Sequence, residues 1–460
     1  MKNKLIITLL LLNVQCSMFN VQWSTVSAQR IMTLEACVEV ARKGNTSAKD
    51  AQNDILMAKE QQKYARSKYF PTLSASALHF QSSDYLAKYQ VFSHEDIEDL
   101  NDFIGSQFTD DDFTIGIIKK GTSTSMTLIE PLYTGGRISN YNKLANLQVD
   151  ARNLQRDVAD DKIVMETEFL YFKILELHET DKTITAVEKQ LENIHQDAIN
   201  AWENGIVNKN DVLSVELAQD QLSALKIKVD NGRNLLRRAL AKYIGMPDED
   251  IDVDTTLNRE IIAPEQLAVS VQSAVENRSE TRLLDLMVEK SVLERKIALA
   301  NMLPVLAVGA SASYSKFTSQ NWNPRVMGFV TVQMPLSSFW SERHEYKRKK
   351  IEEQKSNDFR KDKRELISLQ IQDAYDNLVS TYKQTQVAQK SIARAEENMR
   401  INREHYREGL ATMTALLDAQ RQQQQALSQH NTAVSDYLQA KTKYLILTGR
   451  RQDAFARISH

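Results

Sequence analysis

The chain of 460 residues can be laid on itself at a shift of 204 without a gap, and this duplication limits what it can fold into more than any composition figure does. Pro131-Leu132 falls on Pro335-Leu336, Tyr171 on Tyr375, Gly205 on Gly409, Leu213 on Leu417 and Gly245 on Gly449. Glycine (13) and proline (7) are scarce, roughly 4% of the chain against ordinary usage near 12%. Coincidences of such rare residues at one offset mark a repeated supersecondary unit. Upstream the match continues at another offset. Asn45 and Asn277 precede helical stretches that end at Tyr69-Phe70-Pro71 and Met302-Leu303-Pro304, and short alternating segments follow at 72–80 and 305–314. Pro131 lies 60 positions after Pro71, whereas Pro335 lies 31 after Pro304, so the first copy carries an insert of about 29 residues. The unit reads helix, strand, loop, strand, helix, helix, and it occurs twice.

Period-2 alternation carries the strands. Val330, Val332 and Met334 alternate with Phe329, Thr331 and Gln333; Met126 and Leu128 alternate with Ser125, Thr127 and Ile129. Taken alone, such segments fit a soluble hairpin as well as a membrane-barrel strand. The helical signal is stronger. Positions 371, 375, 378, 382, 385, 388, 392, 395, 399, 402 and 406 are spaced by three and four, and so are 215 to 243 and 417 to 445. That rhythm predicts coiled-coil seams. Ala, Thr, Gln and Asn dilute them, which predicts close packing against more than one neighbour. The stretch from Arg137 to Glu203 is long enough for a helix of roughly 100 Å at 1.5 Å per residue. A polar-seamed hairpin of that length must oligomerise or bridge a gap. Four strands cannot close a barrel, for which about eight is the usual minimum, so a ring of several chains is expected.

Charged residues make up 26% and hydrophobic ones 42%, with a formal net charge of −2. This excludes a disordered chain, a collagen and a strongly basic nucleic-acid binder. No run approaches the ~18 apolar residues of a membrane-spanning helix, so a multi-pass helical membrane protein is excluded. Residues 1–28 read as a signal peptide: Lys2 and Lys4, the apolar run Leu5 to Leu12, then Val26-Ser27-Ala28 before Gln29. Cys16 follows Asn13-Val14-Gln15, which lacks the small residues of a lipoprotein site, so no lipidation is expected there. Cys37 is then alone in the mature chain and no internal disulfide can form. The histidines are scattered and there is no catalytic constellation, so no enzyme activity, cofactor or metal is expected. Gly116-Ile117-Ile118-Lys119-Lys120-Gly121 lacks the Lys of a phosphate loop and precedes a strand. The insert, with nine acids and one Lys between Asp84 and Asp112, reads as a solvated loop.

Taken together these residues resemble the TolC family of outer-membrane efflux channels. The carriers are the duplicated strand–strand–helix–helix unit, the proline-bounded strands, and the turns Glu203-Asn204-Gly205 and Arg407-Glu408-Gly409, each followed by an apolar pair, Val212-Leu213 and Leu416-Leu417. The resemblance implies a mainly α chain with a membrane β-barrel. Four strands per protomer would form a twelve-stranded trimeric barrel in the cell outer membrane, above a long α-helical coiled-coil tunnel in the periplasm. It implies a homotrimer that meets outer-membrane lipid, a periplasmic adaptor and, through the adaptor, an inner-membrane efflux transporter. The function implied is a passive exit duct; a periplasmic coiled-coil scaffold without a pore is the alternative.

The resemblance divides the chain into the leader 1–28, N-terminal periplasmic helices 29–70, and a β-hairpin 71–131 whose acidic extracellular loop spans about 83–121. The first long helical hairpin, 132–245, has its tip near 205. An equatorial linker 246–265, a helix 266–303 and a second β-hairpin 304–335 follow, then a second helical hairpin 336–449 with its tip near 409, and a tail 450–460. Residue by residue, it implies adaptor-docking tips at Gly205 and Gly409, and a periplasmic aperture at Asp418, with Asp211 and Tyr406 in the clamp. Ala415 stands where the family has a further aperture acid, and Ala411 where it has the arginine that pairs with the clamp acid, so closure by that ion pair is not implied. Gln420 and Gln422 to Gln425 would line the tunnel with neutral polar groups.

Overall fold

The structure, a computed structural model, describes residues 30–104, 107, 109–256, 260–317 and 322–450. The expected leader, Cys16 and the tail beyond Arg450 lie outside the described residues. In chain order the elements are β1 (Arg30–Met32), α1 (Leu34–Gly44), α2 (Thr46–Ser67), β2 (Thr72–Gln81), β3 (Ala87–Gln90), α3 (His94–Ile104), β4 (Thr114–Ile118), β5 (Lys120–Tyr133), α4 (Arg137–Glu203), α5 (Lys209–Ile244), β6 (Ile251–Val253), α6 (Val271–Asn277), α7 (Ser279–Ala300), β7 (Val305–Phe317), β8 (Asn323–Gln333), α8 (Glu342–Arg407) and α9 (Met413–Leu447). The repeat appears as α2-β2-β5-α4-α5 and α7-β7-β8-α8-α9. Helices α4 and α8 run 67 and 66 residues. Neither contains a Gly or a Pro, the two residues that most readily interrupt a helix.

Two compact units divide the chain. The first, Ala51–Val158 with Val275–Ser368, holds an antiparallel sheet in the order β2-β5-β7-β8. Its helical parts are tied by ion pairs: Arg152 to Asp54 (2.8 Å), Arg295 to Glu353 (2.5 Å), Lys349 to Glu294 (2.8 Å) and Arg364 to Asp285 (3.0 Å). The insert between β2 and β5 is not the plain loop expected. It folds on itself into the antiparallel pair β3–β4 and the helix α3. Ser93 and Asp96 cap α3 reciprocally, and Glu95 and Asp96 lie in its first turn, where the helix dipole favours acids.

The second unit comprises Met1–Asp50, Ala159–Ala274 and Leu369–His460. Its small parallel pair β1–β6 aligns Arg30 with Ile251 and Met32 with Val253, inside segments expected to be a helix lead-in and a linker. Buried tyrosines pin these connecting segments. Tyr171 donates to the carbonyl oxygens of Asp254 (3.1 Å) and Met32 (3.3 Å), and accepts from the Asp254 N–H at 3.1 Å. Tyr437 donates to the Ile262 carbonyl oxygen at 2.7 Å and accepts from the Ile262 N–H at 2.9 Å. The seams are where the spacing puts them: Val215, Leu222 and Val229 of α5 and Ile371, Leu378, Thr385 and Met399 of α8 are buried. Towards its end α9 is buried on several sides at once, from Tyr437 to Ile446. Gly44 and Gly245 approach so closely that a Cβ on either would overlap the backbone of the other. Cys37 is buried, which pushes its thiol up to about 12 and leaves it an inert core group.

Glu168 of α4 is the costly group in this core. It is 1% exposed and neither carboxylate oxygen is hydrogen-bonded. Burial raises its pKa from 4.5 to about 8, against the pull of the Thr442 hydroxyl and the Lys441 charge. A carboxyl that ionises at its ordinary pKa when unfolded but holds its proton to about 8 when folded loses the protein stability as pH rises through that window. Glu168→Gln, neutral throughout, should flatten this slope and melt above the parent protein at pH beyond 8, as followed by helical circular dichroism across a pH series.

Candidate functional site

Register decides what the four-stranded sheet presents, because directly opposed residues in an antiparallel ladder share a face. One row across the sheet is Leu73, Leu128, Ala310 and Gly328; the next on the same face is Ala75, Met126, Ala312 and Val326. Val308 with Val330 and Leu306 with Val332 extend this face. The intervening rows are Ser74, Thr127, Ser311 and Met327, then Ser76, Ser125, Ser313 and Arg325. One face is thus apolar and the other is mostly hydroxyl, with Ser76 bonded to Ser125 (2.8 Å) and Thr127 to Ser311 (3.2 Å) across strands.

The apolar face is bare within the protomer. Val326 is 84% exposed, Val330 70% and Leu73 61%. The outer strands β2 and β8 each pair on one side only among the described residues. From Leu306 to Tyr314 the apolar face rises roughly 27 Å at ~3.4 Å per residue, close to the ~25 Å apolar band of a membrane barrel. Aromatic side chains stand at both limits. Tyr314 stacks on Trp322 at 4.7 Å at the loop end, and Phe70, Tyr133 and Trp340 are exposed at the end that bears the helices.

The second candidate site lies at the helical hairpin turns. α4 ends in Gly205 (φ 73°) and α8 in Gly409 (φ 75°), both in the left-handed conformation that glycine adopts without strain. The Ile206 N–H returns to the Ala201 carbonyl oxygen (2.8 Å) and the Leu410 N–H to that of His405 (2.7 Å), closing each helix end. Nothing lies within 4 Å of a Cβ built on either glycine, and Ile206 and Leu410 are 75% and 72% exposed. Both turns are open, with an apolar side chain at the apex.

The clamp residues are partly brought together. Tyr406 is half-buried with its hydroxyl unpaired; burial raises its pKa, and the Asp211 and Asp197 carboxylates add to the rise. It lines a cavity of about 220 Å³ with Asp197 and Arg407. Arg407 donates to Asp197 at 3.5 Å, an ion pair between the two hairpins that the sequence did not disclose. Asp418 is not in that cavity. It accepts a 2.5 Å bond from Arg421, three residues on, and lines a separate groove of about 690 Å³ with Leu417, Gln420 and Gln424. Gln422 and Gln425 are exposed, as a lining residue needs, but Gln420 is only 3% exposed with neither amide atom bonded. The Asp418–Arg421 pair was legible as an i,i+3 spacing; the Asp197–Arg407 pair was not.

Residues 271–450, which hold the second repeat, match the family model of the outer membrane efflux proteins. Among curated proteins none matches the sequence. Solved structures with this fold include the outer membrane protein VceC of Vibrio cholerae (14% identity, TM-score 0.73, covering 90% of this chain and 96% of that one). The CmeC outer membrane channel of Campylobacter jejuni (13%, 0.71, 91% and 86%) and the MtrE outer membrane channel of Neisseria gonorrhoeae in its open state (15%, 0.69, 92% and 90%) share it too.

Replacing Gly409 by Ala forces a Cβ into the left-handed region at a cost of about 1 kcal/mol, with no clash to add to it. Gly409→Ala should therefore speed amide hydrogen exchange around the second turn by about fivefold and leave exchange at the first unchanged.

Proposed function

We propose that this chain is the outer-membrane exit duct of an efflux machine, conducting substrates passively from the periplasm to the exterior. The sheet carries this reading: it is apolar on one face, hydroxylated on the other, and unpaired at both edges. In lipid every backbone polar group must be satisfied internally, and strands achieve that only in a closed barrel. Three copies pairing β8 of one with β2 of the next would make twelve strands with no edge, the apolar rows against hydrocarbon and the serine rows around water. A soluble scaffold would leave those apolar rows in water, where an exposed edge and patch of this size promote aggregation.

The long helices would then line a periplasmic tunnel. Gly205 and Gly409, with Ile206 and Leu410 beside them, would meet an apolar surface on a periplasmic adaptor, which links the duct to an inner-membrane transporter. Asp418 would contribute one carboxylate per protomer to the aperture, and the Asp197–Arg407 pair would hold the hairpins together there, with Asp211 and Tyr406 near it. Energy would come from the partners, since a passive duct has no need of catalysis.

Single-channel conductance of the mature protein in a planar bilayer tests the duct. Val330→Arg, near the middle of the apolar face, should cost about 2–4 kcal/mol per protomer and abolish insertion; wild-type conductance from that variant would remove the barrel. For the aperture, Asp418→Asn should weaken cation selectivity, whereas Arg421→Gln, which frees the same carboxylate, should strengthen it. Reversal potentials in a salt gradient read both, and identical values in the two variants would take Asp418 out of the pore.

A further inference from the structure

The sheet's helix-bearing end carries two features in succession. First come exposed apolar and aromatic side chains, among them Phe70 (67% exposed), Leu336 (64%) and Trp340 (68%). Immediately beyond, the chain turns basic. Arg66 and Lys68 are exposed just before β2, and Arg343, Lys347 and Lys350 are exposed just after β8. Neighbouring cations are held within the helix layer: Arg348 pairs with Glu345 and Glu352, and Lys349 with Glu294 and Glu352. Arg343, Lys347 and Lys350 form no ion pair with a described residue. Spaced by four and three, they make one stripe on the first two turns of α8, with Trp340 just ahead of it. The loop end of the sheet is opposite in sign, with nine acids and one Lys between Asp84 and Asp112.

We infer that this rim is a seat for anionic phospholipid headgroups, with Arg343, Lys347 and Lys350 as the contacting cations. The inference rests on reading the sheet as a membrane wall. Amphipathic rings settle at the headgroup level, so Trp340 and Tyr133 fix the depth at which the following residues lie. Lysine and arginine then extend their charged ends to the phosphates while the stems stay on apolar surface. A soluble acidic partner would account for the cations but not for the aromatic belt directly above them; an anionic lipid leaflet accounts for both.

The full chain, reconstituted in phosphatidylcholine vesicles with a trace of spin-labelled lipid, tests this by the fraction of label that the protein restricts. Labelled phosphatidylglycerol should be preferred over labelled phosphatidylcholine by about fivefold, the factor that one interfacial cation carries. The preference should vanish at high salt and in the triple variant Arg343→Gln, Lys347→Gln, Lys350→Gln. Equal restriction of both labels in vesicles that conduct would overturn the lipid seat and leave the duct standing. Vesicles in which the protein restricts neither label and does not conduct would overturn the duct reading and the seat with it. A phosphatidylglycerol preference that survives the triple substitution would put the contact elsewhere and also overturn the proposal. Should the triple variant fail to insert, the unmodified chain decides, because a preference indifferent to salt is not one made by exposed cations.

Discussion

Unpaired backbone at the outer strands governs this protein. Each open edge presents a row of N–H and C=O groups that must find partners, and among the described residues β2 and β8 find them on one side only. Covering the edges with a helix would be the soluble solution, but the apolar rows through Leu73, Met126 and Val326 leave that solution with an uncovered face as well. Closing the sheet with further copies answers both demands together. In the duct reading the long helices would continue such a ring as the staves of a wall.

Duplication makes that wall inexpensive in sequence terms. The same proline-bounded strand pair, 67- and 66-residue helices and glycine turn serve twice, and the shared architecture is held by a small set of special residues. The repeats differ where the chain must do something once. The insert before β5 folds into its own hairpin and helix, and the connection between the halves is sewn to the helices by tyrosine hydroxyls as well as by the buried Ile251, Val253 and Ile262. Tyr171 and Tyr375 are equivalent in the repeat, yet only Tyr171 is fully buried, against Asp254; the second repeat assigns the corresponding task to Tyr437.

Most of the architecture was legible because it rests on periodicity. Spacing by three and four predicted the seams at Val215, Leu222, Ile371 and Leu378, and alternation predicted that Met126 shares a face with Leu128 and Val330 with Val332. What escaped has no period. β1 and β6 are three residues each and pair across more than two hundred positions, so no local pattern marks them. The helix in the insert was readable from Ser93 and Asp96 at capping distance, but the density of acids around it reads as solvent. Gln420 sits in a seam position and is buried, whereas its polar type suggests a lining residue.

Charge placement at the hairpin ends has an energetic reading. Ala411 and Ala415 carry no charge, and the ion pairs near the turns are Arg407 with Asp197, between the hairpins, and Arg421 with Asp418, within one helix, all of them substantially exposed. Exposed pairs of this kind are worth roughly 0–1 kcal/mol each and weaken with salt. The unbonded hydroxyl of the half-buried Tyr406 adds a small cost to the same region rather than a gain. These exposed pairs are minor beside the buried apolar cluster that takes in Ile194, Ala198 and Val212 of the first hairpin and Met399, Met413 and Leu416 of the second, so burial rather than charge holds the two hairpin ends together.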